Sequence, residues 1–162
     1  MPIPEPWATE LQDYRVDLGD ETAAQVPTHI TLVPPIEVDE SDLPVIEKHL
    51  TEASADVSAY EILLRGTGTF RPVSDVVFVM LARGISECEQ LALRLRSGPL
   101  EHPLKFPYHP HVTVAHEVAP ELLDRAFGEL ADFTAYFTVS AFSLYRHEPG
   151  TGWQPTREFP LR

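Results

Sequence analysis

Pro110-His111-Val112-Thr113-Val114 has an echo far upstream in Thr28-His29-Ile30-Thr31-Leu32. Both stretches read His, apolar, Thr, apolar. Successive side chains of an extended chain point to opposite faces, so His29 and Thr31 share a face, as do His111 and Thr113. Ile30, Leu32, Val112 and Val114 take the other face and can enter a core. The pattern predicts two short strands, each holding an imidazole and a hydroxyl side by side on a stiff support.

Working outward, Trp7, Leu11, Tyr14 and Leu18 recur at helical spacing and predict a helix over 7–18, stopped by Gly19. A polar connection, 20–27, leads to the first His-Thr strand, which Pro34-Pro35 ends. A second helix is expected over 39–55, capped by Asp39 or Ser41, with Pro44 in its first turn. A strand runs from Ala59 past Gly66 and Gly68 to Phe70, and the apolar run 76–81 reads as a central strand. A helix over 85–96 precedes an irregular segment, 101–109, and then the second His-Thr strand, 111–115. A last helix, 119–130, is followed by one long strand, 133–145. The turn 148–152 joins that strand to a final one over 153–159. The order forms a weak internal repeat, each half carrying one His-Thr strand. It predicts an α+β fold of two pseudo-symmetric lobes of antiparallel sheet with outer helices, the whole chain 1–162 making one domain. The two His-Thr strands are expected to face each other across a cleft.

Composition narrows the function. A chain of 162 residues can bury about 70% of its unfolded surface, enough for a core without staples. Its one cysteine, Cys88, excludes an internal disulfide framework and fits a reducing compartment and a packing role. The start has neither the basic nor the apolar region of a signal peptide, and no apolar run approaches the ~20 residues of a membrane span. A cytoplasmic protein with no membrane partner is expected. The net charge of −13 argues against a non-specific nucleic-acid binder, although a small phosphate-bearing ligand fits.

Two imidazoles across a cleft suit in-line displacement at phosphorus. One takes a proton from the attacking oxygen and the other gives one to the leaving oxygen. An unperturbed pKa of about 6.5 keeps both forms of His accessible near neutrality. Each Thr hydroxyl can donate to a phosphate oxygen as charge gathers there. Nothing in this scheme needs a cofactor or a metal. The cluster His102, His109, His111 and His116 invites a metal reading, but Pro110 disturbs the strand and no carboxylate stands at ligand spacing.

The paired motifs, Thr28-His29-Ile30-Thr31-Leu32-Val33-Pro34-Pro35 and His109-Pro110-His111-Val112-Thr113-Val114, resemble those of the two-histidine (2H) phosphoesterases, most closely the bacterial 2′-5′ RNA ligase-like branch. The resemblance covers nearly the whole chain. It implies a bilobal fold with a V-shaped groove lined by His29, Thr31, His111 and Thr113. It also implies metal-independent attack on a 2′,3′-cyclic phosphate or a 2′-5′ phosphodiester, with a nucleotide or RNA end as substrate. A monomer is expected. Which histidine is base stays open, as do two alternatives: a non-catalytic module that binds phosphate or RNA ends, and a 2′-5′ RNA ligase. Two departures stand out. Such chains open on a short apolar strand for which 1–4 leave little room, so either the native start lies upstream or that strand is short. Few basic residues are available near the groove, which motivates a nucleotide-scale substrate.

Phe70 and Arg71 follow a strand and are candidates to stack a base and to pair phosphate. Tyr108, with Lys105 and Phe106, stands just ahead of the second motif and is a further substrate-binding candidate. Tyr145, Arg146 and Trp153 are weaker candidates, and His49 and His147 read as bystanders.

Overall fold

The apolar run Val76-Val77-Phe78-Val79 is buried throughout, and the main sheet is assembled around it. In the computed structural model, which describes residues 1–162, the elements follow in this order. They are α1 (Trp7–Leu18), α2 (Leu43–Ala55), β1 (Tyr60–Thr69), β2 (Val76–Arg83), α3 (Ile85–Leu95), β3 (His111–His116), α4 (Pro120–Glu129), β4 (Thr134–Val139), β5 (Ala141–Glu148) and β6 (Gly152–Pro160). Four strands form an antiparallel sheet in the order β3-β2-β1-β4, and β5 and β6 form a separate antiparallel pair. The class is α+β, as expected. A cluster of 31 buried residues joins sheet and helices, with Leu91 and Leu95 of α3 and Leu123 and Ala126 of α4 turned inward. Cys88 is buried among them. No helix is long and apolar enough to cross a membrane.

Three expectations need correction. The stretch around His29 is not a ladder strand. It touches its neighbours through two isolated antiparallel bridges, Pro2 to His29 and Ile30 to Val112. Pro27, Pro34 and Pro35 bracket it, and Pro2 beside it lacks an N–H, so a continuous ladder cannot grow. Residues 1–3 do run along it: Ile30 N–H donates to Met1 O at 2.8 Å and the Met1 amine donates to Ile30 O at 2.7 Å. The long strand expected over 133–145 breaks at Ser140, whose carbonyl accepts from Leu161 N–H at 2.8 Å. β4 pairs with β1 and β5 with β6. Alternation of side chains marks faces and says nothing of pairing partners, so this change was invisible to periodicity. Finally, α2 begins at Leu43 after a single 3-10 turn, Glu40–Asp42, and neither Asp39 nor Ser41 caps it.

The polar connection 20–27 hides the fold's one buried ion pair. Arg15 is 3% exposed, and its Nε donates to Asp20 Oδ2 at 3.0 Å. Its other nitrogens donate to Val26 O at 2.7 Å and Thr22 Oγ1 at 3.2 Å. Asp20 Oδ1 accepts from Thr22 N–H at 2.9 Å. Just beyond, Gln12 Oε1 accepts from Thr28 N–H at 3.0 Å and from Thr28 Oγ1 at 2.8 Å. Helix α1 thus holds the loop at both ends and delivers His29.

Asp20→Ala leaves the Arg15 guanidinium buried without its counter-charge and is expected to cost about 3–5 kcal/mol in urea denaturation. Replacing both partners, Arg15→Met with Asp20→Leu, should recover most of that loss. Equal losses in the single and double variants would show that packing rather than charge pairing carries the effect.

Candidate active site

One backbone bridge sets the geometry. Ile30 and Val112 pair antiparallel, and both are 0% exposed. In that register Thr31 stands opposite His111, and His29 opposite Thr113. With the apolar pair turned into the core, these four side chains take the other face. The two histidines are diagonal neighbours, which ordinary sheet geometry sets about 7–8 Å apart and somewhat closer at Cβ. All four are half-buried and line a cleft of about 1500 Å³. The two stretches therefore lie side by side on one surface instead of facing each other from opposite walls.

Both imidazoles are held in the same way. His29 Nδ1 lies 2.7 Å from Pro27 O and His111 Nδ1 lies 2.7 Å from His109 O. A carbonyl only accepts, so in each ring Nδ1 carries the hydrogen and Nε2 is left for chemistry. The Nε2 atoms then differ. That of His29 lies 2.9 Å from Thr31 Oγ1, which must donate to it while the ring is neutral. That of His111 has no protein partner.

Both pKa values are pushed down. Burial is the main cause for His29, lowering it to about 4. The Met1 amine, Arg15 and His111 add to the fall, and the Pro27 carbonyl opposes it. Burial also lowers His111, with a further push from His109, against the His109 carbonyl. Each ring is therefore neutral at neutral pH.

Aromatic rings fix His111 from the side. Phe70 meets it edge-on at 4.9 Å between centroids, and Phe78 packs at 5.1 Å. The same two rings pack on His109. Phe78 can lie there because residue 68 is glycine: a Cβ at Gly68 would come 2.6 Å from Phe78 Cε2. Phe70 lines the cleft as the sequence suggested, with the added task of supporting His111. Phe78 and His109 were not read as supports, since a buried Phe in an apolar run gives no such signal.

Other candidates separate. Arg71 does not line the cleft; its guanidinium pairs with Asp124 of α4 at 2.7 Å. Tyr108 does not line it either. Its hydroxyl donates to Thr31 O at 2.9 Å, and Arg96 stacks over its ring at 5.1 Å, so it braces Thr31 from behind. Phe106, Tyr145, Arg146 and Trp153 do line the cleft, as do His102, His116 and His147, whereas Lys105 does not. The cationic residues of the lining, Arg15 and Arg146, are both engaged: Arg15 with Asp20, and Arg146 with Glu40 at 3.5 Å and Glu148 at 4.0 Å. Glu37, Asp39, Glu40, Asp42 and Glu101 also border it. No group of three or more His, Cys, Asp or Glu side chains comes together in a way that could hold a metal ion.

Known proteins resemble this chain in sequence and in fold. The chain belongs to the 2′-5′ RNA ligase superfamily, whose profile it matches over residues 3–151, and so to the two-histidine phosphoesterases. A Bacillus licheniformis protein with a provisional phosphoesterase name is 32% identical over 144 residues, 88% of this chain and 85% of that one. A similarly named Geobacillus protein is 27% identical, over 82% and 78% of the two chains. Among solved structures, Escherichia coli LigT complexed with NADP+ superposes with a TM-score of 0.68 at 19% identity, over 99% of this chain and 94% of that one. LigT complexed with 3′-AMP gives 0.64 at 19% identity, over 93% and 92%.

The histidine at position 29 carries a sign that can be measured. Its folded-state pKa, about 4, lies below the unfolded value of about 6.5. Between these values the unfolded chain binds a proton that the folded chain does not, so stability falls as pH drops through that window. Thermal melts from pH 7 to 4.5 should show a shallower decline for His29→Gln than for the parent chain. An identical slope would mean that the ring is not held neutral.

Proposed function

We propose that this chain is a metal-independent phosphoesterase that opens 2′,3′-cyclic phosphates or 2′-5′ phosphodiesters of small nucleotides or RNA ends. The observation that carries the reading is the pair of Nδ1-locked imidazoles whose Nε2 atoms serve one cleft, each beside a threonine. His29, whose pKa is lowered furthest, starts neutral and is the general base: its Nε2 takes the proton of the attacking water. His111 gives a proton to the leaving ribose oxygen as the P–O bond breaks. Its proton arrives with the substrate, because an adjacent phosphate anion favours imidazolium. Thr31 and Thr113 hold the non-bridging oxygens. Both proton transfers are supplied by side chains, so the scheme asks for no metal.

The lining favours a small substrate. An RNA strand brings many phosphates, and the two cations of the cleft are already paired with carboxylates. The LigT complexes with 3′-AMP and NADP+ support ligands of nucleotide size. Cleavage is favoured over joining, since joining would gather two polyanionic ends in an acidic cleft. A binding-only role predicts saturable binding of phosphate ends without turnover.

Turnover of 2′,3′-cyclic AMP with chelator present is the direct trial. His29→Ala and His111→Ala should each lose at least ~10² in kcat, and Thr113→Val on the order of 10². Full activity in His111→Ala removes the mechanism. Strong preference for a long RNA over the mononucleotide with the same end would instead overturn the small-substrate reading.

A further inference from the structure

The cleft, about 1500 Å³, is larger than one phosphate or even a typical small-molecule pocket of ~300–1000 Å³ requires. Beyond the His-Thr pairs it continues along the coil that leads into β3. Two of its lining residues there, His102 and Phe106, have no task in the proton exchange. His102 Nδ1 lies 2.9 Å from Leu100 O, the same two-residues-back lock that orients His29 and His111. Its Nε2 is therefore left as an acceptor, and it is shielded from solvent with no partner in the protein. A buried acceptor without a donor is destabilising, so the chain leaves this nitrogen to be met by a partner from outside it. Phe106 is the converse, an aromatic ring 54% exposed at the cleft edge, with the Lys105 ammonium 5.3 Å from its centroid.

A third observation connects these two. Residues 102–109 make no backbone–backbone hydrogen bond. The coil is fixed at its ends, by buried Leu100 on one side and by the Tyr108 hydroxyl on Thr31 O at the other. Such a segment shifts at little cost, and its far anchor is the backbone of a residue in the phosphate site.

We propose that His102 and Phe106 form the nucleobase subsite of this cleft. The base stacks on Phe106, and as the coil shifts an exocyclic amine of the base donates to His102 Nε2. The proposal rests on the phosphoesterase reading and narrows its substrate to nucleotides with an amino-bearing base. Uracil, with carbonyl oxygens where an amine would stand, is selected against.

Equilibrium titration separates this proposal from the catalytic one. The ligands are inorganic phosphate, 3′-AMP and purine riboside 3′-monophosphate, which lacks the 6-amino group. The intact protein should bind 3′-AMP at least about tenfold more tightly than phosphate, the scale of one stacked base. Phe106→Ala, at an exposed position, and His102→Phe, which keeps a ring and removes the acceptor, should each reduce that advantage about tenfold. The purine riboside ligand should bind the parent chain about as 3′-AMP binds His102→Phe; this comparison needs no variant to fold. An advantage unchanged in both variants, or equal binding of the two nucleotides, overturns the subsite. Absence of cyclic phosphate turnover in the parent chain, alongside an intact preference for 3′-AMP, would sink the catalytic reading and leave the subsite standing.

Discussion

The site depends on a single antiparallel bridge, Ile30 to Val112, made between segments that lie far apart in the chain. Both side chains of that pair are wholly buried, so the register is fixed by the core. A slip of one residue would turn His29 and Thr31 into the hydrophobic cluster and bring Ile30 and Leu32 into the cleft. The prolines around the stretch keep it from growing into a ladder, so its position is secured from elsewhere. Gln12 clamps Thr28, Arg15 and Asp20 tie down the preceding loop, and Tyr108 holds the carbonyl of Thr31. A stretch with only two isolated bridges thus becomes a rigid support through side-chain hydrogen bonds to α1 and to the coil before β3.

Much of this was legible because local patterns determine it. Helical spacing marked α1, α3 and α4 to within a residue or two, and the doubled His-x-Thr pattern identified all four side chains that meet at the bridge. What local pattern cannot carry is the choice of neighbour. Alternation from Phe133 to Tyr145 runs unbroken through Ser140, although the chain changes sheets there. Arg71 follows Phe70 directly, yet the ring reaches His111 while the guanidinium turns to Asp124. Arg15 had no reading at all, since one arginine in a helix resembles any other until its carboxylate is found five residues on.

An acidic protein that handles phosphate needs a physical account. The cleft offers the anion no free guanidinium or ammonium. In the proposed reaction its stabilisation comes from threonine hydroxyls and from an imidazole that becomes cationic only when the anion arrives. This has a consequence for charge. A cyclic phosphodiester carries one negative charge and its hydrolysed product carries close to two. Among carboxylates at the cleft border and with imidazoles biased toward neutrality, the extra charge is poorly tolerated. In the proposed reaction, the acidity that makes binding a polyanion costly therefore favours release of the product.

The two His-Thr pairs are alike in sequence and unlike in hydrogen bonding, and that difference bears on their roles. Thr31 donates to the single lone pair of His29 Nε2 while the ring is neutral, and that bond gives way as the attacking water turns its hydrogen to the same lone pair. Once that nitrogen gains a proton it becomes the donor, and the Thr31 hydrogen is free to turn to a phosphate oxygen. In the proposed reaction His29 thus delivers a second hydrogen bond to the phosphate at the moment it takes the proton from water, when negative charge on those oxygens is rising. Thr113 makes no bond to His111, so its hydroxyl can meet the substrate from the start. One threonine binds the ground state and the other is engaged by the proton transfer itself, and only an interaction of the second kind lowers the barrier without tightening the resting complex. The asymmetry that depresses His29 further than His111 therefore also places the reaction-dependent donor beside the base.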